Sequence, residues 1–235
     1  MTRTTRLAAT LALLSLGSAL HAQDRGRGRG EPAHKPAAVP AQEQQQRAAQ
    51  EEQRTSAYKR TLDHQVHVVQ QKTATLDRAK RPAQLRAQQA YAAELQKQRQ
   101  EMPDRRDFTA DPYVSAPAKY RYLVDGAVRQ TNEYGAQVLR QAVDNGYQQG
   151  YLAGQADRAD HWKSSYQTSP AYEDANYGFA GNYVAQADYN YYFRQGFRRG
   201  YQDGFGARLQ YGANSNGTTS ILSNVLTRIL GLTAL

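Results

Sequence analysis

Glycine recurs at every fourth position in two stretches of this chain, and no other feature limits its fold so tightly. Gly146, Gly150 and Gly154 form the first run; Gly196, Gly200 and Gly204 form the second. Tyr147 and Tyr151 follow glycines in the first run, Phe197 and Tyr201 in the second. On a helix, residues four apart drift by only about 40°, so each run makes one narrow stripe flanked by aromatic rings. An interior glycine costs a helix about 0.8–1 kcal/mol relative to alanine, hence about 5–6 kcal/mol for all six. Such a sequence is tolerable where the bare face lets another backbone come close, and the simplest partner of one stripe is the other. The spacing predicts two antiparallel or crossing helices packed glycine face to glycine face. Surface helices with incidental glycines are the plainer reading, and turns of a small β array a third. Residues 137–143, of strong helix composition, oppose the third. Small residues four apart also mark helix contacts in membranes, but Asp144, Asp157, Arg158, Arg198, Arg199 and Asp203 argue against a bilayer.

Over residues 138–208 the pattern resembles the Phe/Tyr-x-x-Gly-Tyr-x-x-Gly repeats of a family of secreted bacterial proteins without an assigned activity. The resemblance implies an envelope or extracellular setting and carries no chemistry with it.

The N-terminus points the same way. Arg3 and Arg6 precede an apolar run over residues 7–20 and small residues before Ala22, the layout of a secretory signal peptide. Cleavage is expected after Ala22, with Ala19 as the alternative, and the protein is expected in the periplasm or outside the cell. There is no cysteine, hence no lipid-anchor cysteine, disulfide or cysteine-based metal site. The chain carries a net charge of +9, and loss of Arg3 and Arg6 leaves +7. Residues 23–41, with alternating Arg and Gly and then prolines, read as a disordered tail. Arg-Gly pairs can also hold single-stranded nucleic acid or anionic lipid and polysaccharide.

Residues 42–102 read as a long helix or coiled coil with a break at Pro82, a residue suited to a first helical turn. The seam Leu62, Val66, Val69, Thr73 and Leu76 follows 4-3-4-3 spacing. Upstream, Glu52 and Lys59 fall on it, so pairing is expected of its C-terminal half alone. Leu85, Ala92, Leu95 and Met102 extend it sparsely beyond the break. A solvated single helix is the competing expectation.

Residues 103–117 read as a linker. Beyond it the composition changes: all but two of the 17 tyrosines fall at or after Tyr113. Leu, Ile, Val and Phe together make less than a fifth of the chain, so tyrosine, alanine and glycine must supply the packing. Residues 118–211 are expected to be a Tyr/Gly-rich helical hairpin. Its first helix spans about 118–158 and its second about 183–208. Residues 212–217 read as a flexible linker, with a glycosylation sequon at Asn216-Gly217-Thr218. Residues 218–235 read as an amphipathic helix capped by Thr218–Ser220. Its face of Ile221, Leu222, Val225, Leu226, Ile229 and Leu230 must dock on the module, a second copy, a partner or a membrane surface. It is too short to span a bilayer of about 30 Å. The fold class expected from all this is all-α.

No catalytic, cofactor-binding or metal-binding residue is nominated. His64 and His67 are three apart but lack a third ligand. Asp160-His161-Trp162 has no accompanying nucleophile motif, and no phosphate-binding or zinc-protease motif is present. The expected function is a non-enzymatic scaffold or adaptor of the envelope, self-associating or binding an envelope protein, with anionic polymers as secondary ligands of the basic charge. An enzyme acting on envelope polymers and a membrane-surface protein are the alternatives.

Overall fold

The computed structural model describes residues 40–103 and 106–235. The expected signal peptide and nearly all of the Arg/Gly/Pro-rich tail lie outside the described residues.

The first described element is a 38-residue helix, α1 (Ala41–Arg78), which a tight turn through Lys80 joins to α2 (Pro82–Glu101). Proline opens α2, where its missing N–H costs nothing. The two helices run antiparallel: Gln98 Nε2 donates to the Tyr58 hydroxyl at 2.8 Å, and Arg99 pairs with Asp63. The coiled-coil seam is therefore closed within one chain. It also reaches further upstream than hydrophobicity indicates, because polar side chains bury there against the loop around residue 182. Tyr183 N–H donates to Glu51 at 2.7 Å, and Tyr58 donates to the Asn176 carbonyl at 3.1 Å.

The fold is mixed, not all-α. Among the described residues five short strands form two antiparallel sheets. Strands β1 (Tyr120–Val124) and β2 (Ala127–Thr131) replace the start of the helix expected from residue 118. Their turn, Asp125-Gly126, takes positive φ at both residues (49° and 82°), the twist-matched geometry of a two-residue hairpin. Alternation then buries Tyr122 and Val124 and exposes Arg121 and Leu123. Strands β3 (Gly212–Ser215) and β4 (Thr218–Ile221) repeat the device at Asn216-Gly217, with φ of 52° and 83°. The expected flexible linker and helix cap are thus one hairpin. Only Ser223–Leu230 of the expected C-terminal helix is helical (α6), and Thr233–Ala234 returns as β5 to pair with β1.

The two glycine helices are α3 (Glu133–Ala159) and α5 (Gln186–Gly206). They run parallel, so the module is not a hairpin: Gly146, Gly150 and Gly154 meet Phe193, Phe197 and Tyr201 in that order. A parallel pair needs a return crossing, and residues 160–185 provide it, with a short helix α4 (Pro170–Asp174) on the way. The α1–α2 hairpin lies over this crossing. The described part of the expected linker, residues 106–117, packs onto the fold, since Phe108 and Val114 are buried against Ala48 and Tyr183. In the main core the largest side chains that are fully buried are aromatic: Tyr58, Tyr147, Tyr189, Tyr192 and Tyr201 with Phe179, Phe193 and Phe197.

Candidate functional site

The glycine seam comes first because it decides which surfaces remain. A Cβ added to Gly146 would stand 2.0 Å from the Phe193 carbonyl oxygen, and one on Gly196 would stand 1.9 Å from that of Val143. Gly150, Gly154, Gly200 and Gly204 meet backbone equally closely. Each glycine thus faces the backbone three residues before a glycine of the other helix, and not the glycine itself. The bond that would carry Cβ instead points a hydrogen at a carbonyl oxygen. Such contacts contribute about 0.5–1 kcal/mol each, which offsets much of the helix cost of the six glycines.

The aromatics that follow the glycines lock the same pair. Tyr147 on α3 donates to Asp203 on α5 at 2.7 Å, and Tyr201 on α5 donates to Asp157 on α3 at 2.6 Å. Asp203 also accepts the backbone N–H groups of Gln210, Tyr211 and Gly212, which turns the chain from α5 into β3. Tyr151 stacks on Tyr147, and Phe193, Phe197, Tyr201 and Phe205 form a ladder along α5. Two further buried pairs work in the same way: Tyr122 donates to Asp188 at 2.8 Å, and Tyr91 to Asp174. Burial raises the phenols of Tyr147 and Tyr122 and takes that of Tyr201 to about 12, with the neighbouring carboxylates adding to each shift. Burial also raises Asp157 and Asp174, against the pull of the hydroxyls bonded to them. These acids hold the fold together.

Asp160-His161-Trp162 has a structural use as well. The Asp160 carboxylate accepts the backbone N–H groups of Ala83 and Gln84 at 2.8 and 2.9 Å, capping α2 from a distance. His161 takes a positive φ of 51° in the turn after α3, and Trp162 stacks on the Arg81 guanidinium. His64 and His67 are exposed. Among the described residues no group of three or more His, Asp or Glu could hold a metal ion.

The apolar face of the C-terminal segment is turned into the module. Ile221 and Leu230 are buried, and Val225, Leu226 and Ile229 pack against the main core, while Leu222 remains exposed. Ile221 achieves its burial from a strand, with its N–H held by Asp144 at 3.1 Å. No helix among the described residues is long and apolar enough to cross a membrane.

A groove of about 630 Å³ lies between α2 and α3. Its floor is of small apolar residues, Ala83, Ala87 and Ala90 on one side and Ala156 and Ala159 on the other. Leu152 stands half-exposed within it, with Arg86, Glu94 and Tyr177 also lining it. Sequence reasoning did not nominate this groove. Its one signal was the alanine row 83, 87, 90 on α2, at the spacing of a helix face.

No family model, curated protein or solved structure matches the chain.

Proposed function

We propose that the chain is a non-enzymatic exported adaptor of the bacterial envelope that takes an apolar segment of a partner protein into the groove between α2 and α3. The observation that carries this reading is the groove itself. It is a wide concavity with a mainly apolar wall, and the exposed Leu152 is one of its lining residues. Arg86 and Glu94 supply charges of both signs for the flanks of such a segment. The glycine stripes and the α6 face are occupied within the chain, so neither offers itself for self-association or for a membrane surface. Export rests on the Arg-flanked apolar run near the N-terminus; N-terminal sequencing of protein from the envelope or medium should begin at Gln23.

Crosslinking and affinity capture from the producing cell test the adaptor role. Wild-type protein should retain an envelope protein that Leu152→Glu loses, with the melting temperature of the variant unchanged. Equal recovery by both proteins excludes the groove. Anionic polymers are proposed as secondary ligands of a mature charge of +7; their retention should fall steeply with salt, because exposed charges are screened over about 8 Å at physiological ionic strength.

A further inference from the structure

A second, smaller cavity lies where the C-terminal part of α1, the first turn of α2, the end of α3 and the start of α4 meet. It has a volume of about 150 Å³, and Lys72, Arg81, Gln84, Asp157, Ser169 and Glu173 are among its walls. Arg81 gives one Nη of its guanidinium to Asp157 and lies 4.4 Å over the Trp162 ring, yet its Nε is buried and has no hydrogen-bond partner. Gln84, only 4% exposed, is one turn along α2; its side-chain Oε1 is likewise buried without a partner. Its backbone N–H is already committed to Asp160. One donor and one acceptor are therefore left unmatched beside the same cavity. Buried polar groups are nearly always paired, so a donor and an acceptor left unpaired on two residues that line one cavity call for a partner.

Charge narrows the chemistry. Arg81 faces Asp157, and Lys72 is bonded to Glu173, so the walls sum to no net charge. An entering anion would meet the Asp157 carboxylate, and an entering cation the Arg81 guanidinium. At about 30 Å³ per water the cavity has the room of about five waters, enough for a compact molecule of a few non-hydrogen atoms.

We propose that this cavity binds a small polar molecule of zero net charge that accepts from Arg81 Nε–H and donates to Gln84 Oε1, the pairing that a primary amide presents. The site is independent of the α2–α3 groove.

Acetamide and acetate have nearly the same shape and differ in charge and donors, which makes them the probes of choice. Each is titrated into the full-length protein while the arginine Nε–H resonances are followed by NMR; the Arg81 signal is assigned by its loss in Arg81→Lys. Acetamide should shift that signal saturably in the millimolar range, as suits so small a ligand, with acetate at least several-fold weaker. Gln84→Met keeps the volume but removes the acceptor, and should weaken acetamide several-fold without a comparable effect on acetate. The wild-type titration alone can overturn the proposal. No response of Arg81 to acetamide at about 100 mM, far above any useful affinity, means that water alone satisfies these atoms. Acetate binding as well as acetamide would make the cavity an anion site, and unaltered acetamide binding by Gln84→Met would remove Gln84 from it; either result ends the proposal.

Discussion

Gly200 on α5 and Tyr147 on α3 lie backbone to backbone, so close that a Cβ on Gly200 would stand 1.9 Å from the Tyr147 carbonyl oxygen. Tyr147, which follows Gly146 in its own helix, reaches across to Asp203. The glycine permits the approach and the tyrosine fixes it.

The smallest substitution should therefore be harmful. Gly200→Ala must push two helix backbones apart, at about 1–3 kcal/mol or more for overpacking. For a chain of this size that lowers the melting temperature by roughly 2–4 °C per kcal/mol. Gly206, at the end of the same helix, has nothing within 4 Å of a built Cβ. Gly206→Ala should be neutral or stabilising by up to about 1 kcal/mol through helix propensity. Thermal melts of the two variants check the contrast; equal melting temperatures would contradict the close seam.

The buried tyrosine–aspartate bonds set the response to alkali. Burial raises the folded-state values of Tyr147 and Tyr122 above the ordinary phenol value, and those of Tyr201 and Tyr192 to about 12. A raised folded value means that the fold favours the protonated phenol. The contribution is complete below the unfolded value of about 10 and is lost as pH rises through the folded values. Absorbance at the phenolate band should show a late rise, above pH 10, as the buried tyrosines ionise together with loss of helical circular dichroism. A single smooth titration near pH 10 with the helices intact would contradict this. Asp157 and Asp174, also raised, act with the same sign at lower pH: each favours the fold below the ordinary aspartate value and ceases to do so as pH rises through its folded value.

The glycine stripes were readable because period four is a property of one helix. Their relative direction was not, since the stripe Gly146, Gly150, Gly154 presents the same spacing from either end. The parallel pairing is set instead by the crossing over residues 160–185, whose irregular backbone has no periodicity to read. The long α1–α2 segment showed its break through Pro82 alone. Its upstream seam stayed hidden because Glu51, Thr55 and Tyr58 are buried by hydrogen bonds to residues over a hundred positions away.

The two hairpins did leave a signal. Asp125-Gly126 and Asn216-Gly217 are the dipeptides that a two-residue hairpin turn prefers, and both adopt it. From sequence Asn216-Gly217 reads as part of a linker and a sequon, since Ala213, Asn214 and Ser215 lack strand-forming side chains. Its strands hold through backbone pairing and through Asp203 and Asp144, which anchor their ends at Gly212 and Ile221. The polar cavity beside Arg81 and Gln84 depends on four separate segments, and no local pattern announces such a junction.

Asp160 caps α2 across the turn from α3, and its removal should register as stability. Asp160→Ala leaves the first-turn N–H groups of Ala83 and Gln84 without their acceptor, at about 0.5–2 kcal/mol as for other helix caps. Asp160→Asn keeps an acceptor and should recover part of the loss. Denaturant midpoints measure both. If the two variants behave alike and like wild type, the carboxylate has no capping role.

The C-terminal segment gives the last prediction. Leu230 is 3% exposed at the end of α6, and its carbonyl accepts from the buried Tyr192 hydroxyl at 3.2 Å. Leu222, at the other end of the helix, is 36% exposed. Both residues belong to the same apolar face by spacing, so a helix lying on a membrane or a partner would use them equally. Here one is core and the other is surface. Leu230→Ala should cost about 2–5 kcal/mol, as expected for a buried leucine truncated to alanine. Leu222→Ala should stay within about 0.5 kcal/mol. Truncation after Ser220 removes Leu230, one of the two Tyr192 acceptors and the β5 pairing of β1 together, so it should lower the melting temperature more than Leu230→Ala does. Chemical denaturation of the three proteins decides the matter. If the truncated chain melts like wild type and loses liposome binding instead, the segment serves a membrane surface and its packing onto the module carries no stability.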